Sequence, residues 1–280
     1  MTPSNACLVF INAISTEGWD RDGLHDEFSD GLVRNVASKC ANTIVVIHAS
    51  GIRLVDQWIE HPNVTAAVLA HVPGQDSGRA LVKLLYGEVG FSGKLPYTIA
   101  KNESDYPVYK PCALAFKGDT DPQCDYTEGV YLDYRAFDAK NITPRFEFGY
   151  GLSYTTFDYS SLSISAHGVR TCFSTSLDEL WQVVAKVHVG VVNSGNVDGR
   201  EIAQLYVGIP GAPPKQLRGF EKFDLKAGQG GRATFELTRR DLSQWDVVQQ
   251  KWVLLPGDYK IYVGASSRDI RLTGSIVVST

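Results

Sequence analysis

The sequence predicts an α/β domain built on a parallel sheet, followed by an all-β domain, and three observations carry that prediction. Short unbroken apolar runs alternate with amphipathic stretches over the first 100 residues. Beyond about residue 155 the apolar residues instead alternate one by one with polar ones, the period of strands that bury a single face. Between the two textures lies Phe146-Glu-Phe-Gly-Tyr-Gly-Leu-Ser-Tyr154, where glycines permit tight bends and rings fill the space between neighbouring elements. The domain boundary is placed there, giving residues 1–154 and 155–280.

In chain order, Cys7-Leu-Val-Phe-Ile-Asn12 is too short for a helix and reads as a strand buried on both faces. Ser29 then caps a helix with Leu32, Val33, Val36 and Ala37 on one face. Thr43–His48 is a second buried strand, Leu54–Ile59 a second helix and Ala66–Ala70 a third strand. Asp76 or Ser77 opens a helix carrying Ala80, Leu81, Leu84 and Leu85, and Gly93–Ile99 returns to the sheet. Such alternation implies right-handed crossovers between parallel strands. Residues 100–140 turn to Pro, Gly, Asp and Tyr and read as a long loop or lid, with one further strand expected over Glu128–Tyr134.

In the second domain Trp181, Val183, Ala185, Val187, Val189 and Val191 alternate strictly, and Asn193–Gly199 turns the chain into Ile202–Val207, a pattern read as a long hairpin. Further strands at 215–225, 232–238, 258–264 and 270–278 have the spacing of an antiparallel sandwich. Trp245 and Trp252 read as core or inter-strand packing, with sugar stacking as the other reading.

Composition narrows the partners. The formal net charge of -4 and the absence of a Lys/Arg block argue against nucleic acid or an anionic membrane surface and favour a neutral or weakly polar ligand. No apolar run reaches the roughly 18 residues of a membrane span. The opening Met1-Thr-Pro-Ser-Asn5 lacks the basic and apolar regions of a signal peptide, so the start reads as either cytosolic or truncated. Three glycosylation sequons, at Asn63, Asn102 and Asn141, suit a secreted chain. Of five cysteines only Cys112 and Cys124 lie close together, in a Pro/Gly/Asp-rich stretch that a disulfide could close; for the other three, free thiols are equally consistent.

The candidate chemistry begins just past the first strand, where open α/β sheets bind ligands. There Glu17, Gly18 and Trp19 set a carboxyl group beside an aromatic ring, and such a wall with partial burial disfavours ionisation, as a proton donor near neutral pH requires. Asp20-Arg-Asp-Gly23 has part of a calcium-loop spacing but lacks its later ligands, and reads as a solvated acidic turn. Gly74-Gln-Asp-Ser-Gly78 carries Asp76 where a nucleophile elbow needs Ser. Ser77 with His48 or His71 leaves a serine hydrolase as a separate hypothesis, which needs an orienting carboxylate and an oxyanion hole as well. No metal or organic cofactor is called for: no Gly-rich dinucleotide motif follows a strand and no Cys/His spacing suits zinc.

A resemblance then enters. Thr16-Glu-Gly-Trp19, Asn42–His48, Pro73-Gly-Gln-Asp-Ser-Gly78, Gly93-Lys-Leu-Pro-Tyr-Thr-Ile99, Glu128–Arg135 and Phe146–Phe157 occur in the order found in the carboxyl-terminal half of fungal glycoside hydrolase family 3 β-glucosidases. The likeness continues through Pro214–Phe220 and Gly264–Ile270 and covers nearly the whole chain.

The resemblance implies a partial α/β sandwich domain followed by a fibronectin type III-like sandwich. It gives Glu17 the role of general acid/base and sets Trp19 on the leaving-group side, where relatives often carry Tyr. It implies a secreted parent enzyme that hydrolyses terminal β-D-glucosyl residues, as in cellulose degradation. In that enzyme an N-terminal (β/α)8 barrel, missing here, bears the Asp nucleophile. These 280 residues alone are therefore expected to be inactive. The competing reading is a non-catalytic carbohydrate-binding or scaffolding remnant.

Overall fold

A computed structural model of the chain describes residues 5–18, 21–106, 125–166, 169 and 177–279. The chain forms two compact units. The first comprises Met1–Tyr86, Thr98–Gly129 and Ile142–Phe146, and the second Gly87–Tyr97, Val130–Asn141 and Glu147–Thr280. The units interleave, so segments 87–97 and 130–141 pack with the second although they precede residue 154.

The first unit contains β1 (Cys7–Asn12), α1 (Glu27–Ala37), β2 (Thr43–His48), β3 (Val64–Leu69) and α2 (Ser77–Leu85). The strands form a parallel sheet in the order β1-β2-β3, with Cys7 opposite Thr43 and Asn12 opposite His48. β2 is the central strand and buries Val45, Val46 and Ile47 completely or nearly so. β1 departs from the expectation of burial on both faces: Val9 and Ile11 are buried, but Leu8 is 48% and Phe10 53% exposed. As an edge strand it has only one of its faces covered among the described residues.

α1 starts a turn before the expected cap. Asp26, in an extended conformation, accepts the Ser29 backbone N–H at 2.7 Å, while Ser29 itself is buried inside the helix. The helix expected over 54–59 is only a turn, held by the Trp58 N–H to the Val55 carbonyl and the Ile59 N–H to the same carbonyl, because Pro62 follows too soon for propagation. Gly93–Ile99 is not a sheet strand either. Pro96 removes a donor, and Ile99 makes only an isolated antiparallel bridge with Phe146. Nearby, Arg145 grips the Asp56 carboxylate through Nε at 3.1 Å and reaches Glu60 at 2.8 Å, which pins segment 142–146 within the unit. The paired carboxylates push the Arg145 guanidinium above its ordinary range.

The second unit contains α3 (Tyr134–Ala139), β4 (Phe157–Ala166), α4 (Leu177–Leu180), β5 (Val183–Asn193), β6 (Gly199–Gly208), β7 (Gln216–Leu225) and β8 (Gly230–Thr238). It continues with α5 (Arg239–Leu242), β9 (Gln244–Asp246), β10 (Lys251–Val253), β11 (Gly257–Gly264) and β12 (Ile270–Val278). The strand expected over Glu128–Tyr134 is a turn leading into α3, whose cap Asp133 accepts the Tyr134 N–H.

Two antiparallel sheets, β4-β5-β8 and β12-β11-β6-β7, share one apolar core. Val187, Val189 and Val191 of β5 meet Leu205 and Val207 of β6 and Ile261 and Val263 of β11 there. The expected β5–β6 hairpin is instead an arch: β5 pairs with β4 and β8, β6 with β7 and β11. Alternation marks which face of each strand is inner but not whether its successor joins the same sheet. Buried Asn193 builds the arch, donating to the Val197 and Leu225 carbonyls at 2.8 and 3.1 Å and accepting from Thr155 at 2.6 Å. Trp245 and Trp252 face each other across the β9–β10 pair with ring centroids 5.4 Å apart, and the Arg240 guanidinium lies 3.4 Å over Trp252, which makes them inter-strand packing.

Candidate active site

All three strands of the parallel sheet end on one side, and the loop carrying Glu17 leaves the sheet there. Ala13 donates its N–H to the His48 carbonyl at 3.0 Å, which holds the start of the loop to the end of β2. Glu17 and Gly18 form an exposed turn, so the partial burial expected of the Glu17 carboxyl is not found among the described residues. Gly18 adopts φ +94°, and no heavy atom lies within 4 Å of where a Cβ would sit, so the backbone angle and not crowding is what calls for glycine. The returning limb is tied down by Arg21 Nη2 to the Ile52 carbonyl at 3.1 Å and by the Leu24 N–H to Glu103 Oε2 at 3.2 Å. Glu17 therefore projects from a loop anchored at both ends. Trp19 lies outside the described residues, so its ring has no described place beside the carboxyl group.

Beside this loop the strand ends enclose an open cleft of about 280 Å³, lined by Ala13 and Ser15 after β1, His48 at the end of β2 with Ala49 and Ser50 after it, and His71 to Pro73 with Ser77 beyond β3. The structure thus brings His48, His71 and Ser77 together around one space. The residues lining the cleft include no Asp or Glu. Among the described residues no group of three or more His, Cys, Asp or Glu side chains could hold a metal ion.

The remaining candidates are scattered. Asn63 donates its side-chain N–H to the Ala37 carbonyl at 2.8 Å and is half-buried. Asn102 is exposed and caps the short 3-10 turn at residues 103–105, and Asn141 is exposed with φ +53°. Cys112 and Cys124 lie outside the described residues. The disulfide that the structure does form, Cys7–Cys40 with Cα atoms 6.4 Å apart, was not anticipated. The signal was present: when two neighbouring strands are parallel, residues just before or at their starts are adjacent, and Cys40 lies three residues ahead of Thr43, the partner of Cys7.

Comparison with known proteins decides the family. The family 3 glycosyl hydrolase C-terminal domain matches residues 1–134, and the fibronectin type III-like domain matches residues 201–267. The chain belongs to glycosyl hydrolase family 3. It is 66% identical over 277 residues to "Beta-glucosidase cel3A" of Pyricularia oryzae, matching 98% of this chain and 36% of that protein. It is 57% identical over 284 residues to "Probable beta-glucosidase M" of Aspergillus niger, with 98% and 37% covered. The crystal structure of the β-D-glucoside glucohydrolase from Trichoderma reesei superposes with a TM-score of 0.92 at 45% identity, over 98% of this chain and 40% of that one. The family 3 chain thus corresponds to the carboxyl-terminal part of these β-glucosidases and spans little more than a third of their length. An α/β unit followed by a β-sandwich is the order the two matched domains require.

Proposed function

We propose that these residues supply the proton-transfer half of a retaining β-glucosidase, with Glu17 as general acid/base. The nucleophile is a carboxylate outside these 280 residues, on the barrel that the sequence resemblance implies. The observation that carries this reading is the place of Glu17: an exposed carboxyl on a glycine turn past a parallel strand, in a chain 66% identical to a β-glucosidase. Retaining hydrolysis needs two carboxyl groups about 5 to 5.5 Å apart. The nucleophile attacks the anomeric carbon and the glycosidic bond breaks, while protonated Glu17 gives its proton to the departing oxygen. Ionised Glu17 then takes a proton from water as that water displaces the enzyme carboxylate and frees glucose.

The substrate class proposed is a terminal non-reducing β-D-glucosyl residue, cellobiose among them, with Trp19 walling the leaving-group side. No metal or organic cofactor enters these steps. Secretion and glycosylation of the parent are supported by the Cys7–Cys40 disulfide, which persists in oxidising compartments, and by exposed Asn102 and Asn141.

Two measurements test the assignment. The 280-residue chain alone should not turn over an aryl β-glucoside; turnover abolished by Glu17→Gln would overturn the division of labour. In a polypeptide that joins this chain to a nucleophile-bearing barrel, Glu17→Ala should lower kcat/KM for cellobiose by about 10²–10⁴. Azide should restore turnover of an activated aryl glucoside and release β-glucosyl azide, and a variant that azide does not rescue would remove the acid/base role. A second reading, sugar binding without catalysis, draws on Trp245, which is 44% exposed. Calorimetric binding of cello-oligosaccharides that survives Glu17→Ala but not Trp245→Ala would favour it.

A further inference from the structure

The limb that brings the Glu17 loop back into the domain ends in a buried charged cluster that the proposed reaction does not use. Asp30, in the first turn of α1, is completely buried. Its Oδ1 accepts from Arg53 Nη2 at 2.8 Å and from Trp58 Nε1 at 2.9 Å, while its Oδ2 lies 3.2 Å from His25 Nδ1. Arg53 is only 1% exposed, reaches Asp26 Oδ2 at 3.2 Å and donates Nη1 to the Leu54 carbonyl at 2.6 Å, yet its buried Nε has no hydrogen-bond partner among the described residues. Burial alone would raise the Asp26 carboxyl, but the Ser29 N–H and hydroxyl and the Arg53 charge outweigh it and hold it below its ordinary value.

Such a cluster is a poor way to obtain stability. Removing a guanidinium and a carboxylate from water offsets most of their attraction, and apolar side chains of similar volume commonly serve as well or better. What the cluster does provide is direction. His25 and Asp26 end the limb and Asp30 lies in the first turn of α1, Arg53 and Trp58 come from the segment after β2, and the planar Arg53 fork spans Asp26, Asp30 and the Leu54 carbonyl. Two further bonds follow the same seam: the Leu54 N–H donates to the Leu24 carbonyl at 2.9 Å, and the Arg21 guanidinium donates to the Ile52 carbonyl.

We propose that Asp30, Arg53, Trp58 and His25 are positioning residues that set the path of the returning limb and so the direction in which the loop presents Glu17. This rests on the acid/base reading of Glu17 for its purpose, but not for its test. In the 280-residue chain, the double variant Asp30→Leu/Arg53→Met should melt within a few degrees of the parent, while the Leu24 and Leu54 amides exchange with solvent at least tenfold faster. Amides of β2 and of the second half of α1 should keep their parental rates. Unchanged exchange at Leu24 and Leu54 would overturn the proposal, as would a uniform rise across β1, β2 and α1, which marks a merely structural role.

Should the double variant not fold, Arg53→Lys decides. It keeps the charge but cannot serve Asp26, Asp30 and the Leu54 carbonyl at once, so the same two amides should loosen and the Trp58 indole N–H resonance should shift. Parental rates and resonance in Arg53→Lys would sink the idea. Because exchange is read without turnover, failure here leaves the azide test of Glu17 untouched, and failure of that test leaves the anchor standing.

Discussion

β5 and β1 are both apolar strands, yet they end in different surroundings. β5 buries Ala185, Val187, Val189 and Val191 on one face and turns polar residues such as Lys186 and His188 outward. β1 carries an unbroken apolar run and leaves Leu8 and Phe10 open while Val9 and Ile11 are covered. The sandwich unit meets the demand its own pattern makes, because alternation needs only one covered face. The parallel-sheet unit does not, because a continuous run needs two. The units also differ in what accompanies their apolar cores: the sandwich buries one large cluster of valines, leucines and aromatics, whereas the parallel-sheet unit adds a disulfide and the buried Asp30–Arg53 pair.

The contrast can be broken by matched substitutions. Leu205→Ala, at a completely buried position of β6, should cost about 2–5 kcal/mol in urea unfolding of the chain. Leu8→Ala on the open face of β1 should stay within about 0.5 kcal/mol. Comparable losses at the two sites would mean that the face of β1 is covered in solution.

Cys7→Ser should cost about 2–4 kcal/mol, confined to amide exchange of peptides from the first unit, since the bridge closes a segment of that unit alone. An equal loss of protection in β5 and β6 would show that the two units unfold together.

The smallest expected effect is in acid. The folded-state Asp26 carboxyl ionises below its ordinary value of 3.8, so its contribution to stability is fully present above that pH and is lost as pH falls through the lower folded value. Asp26→Asn should therefore lower the stability of the first unit near neutrality and flatten its acid limb, so that variant and parent converge at low pH. An acid limb that is identical in the variant would remove Asp26 from the cause.

Much of this was legible in the residues. The apolar runs at 7–12 and 43–48 became β1 and β2, and the strands expected at 215–225, 232–238 and 270–278 became β7, β8 and β12, because period and length are local properties of a chain. β4 was missed for a local reason as well: its Ser-rich sequence dilutes the period, and a register shift between Ser160 and Ser163 breaks it. The candidate site was legible only in part. Glu17 could be placed past a strand end, but Cys7 beside Cys40 and Asp30 beside Arg53 join residues whose separation no periodicity encodes.

By itself the sequence determined the three parallel strands, the longer sandwich strands from β5 to β8 with β11 and β12, the inner face of β5, and that a carboxyl group beside a glycine follows the first strand. The tertiary structure alone decided that β5 and β6 belong to opposite sheets, that β1 is an edge, and that Asp30 and Arg53 form a buried ion pair. The physical reason is range. Side-chain period and turn chemistry act over a few residues, whereas sheet order and charge pairing arise only when crossovers bring distant segments within hydrogen-bonding distance.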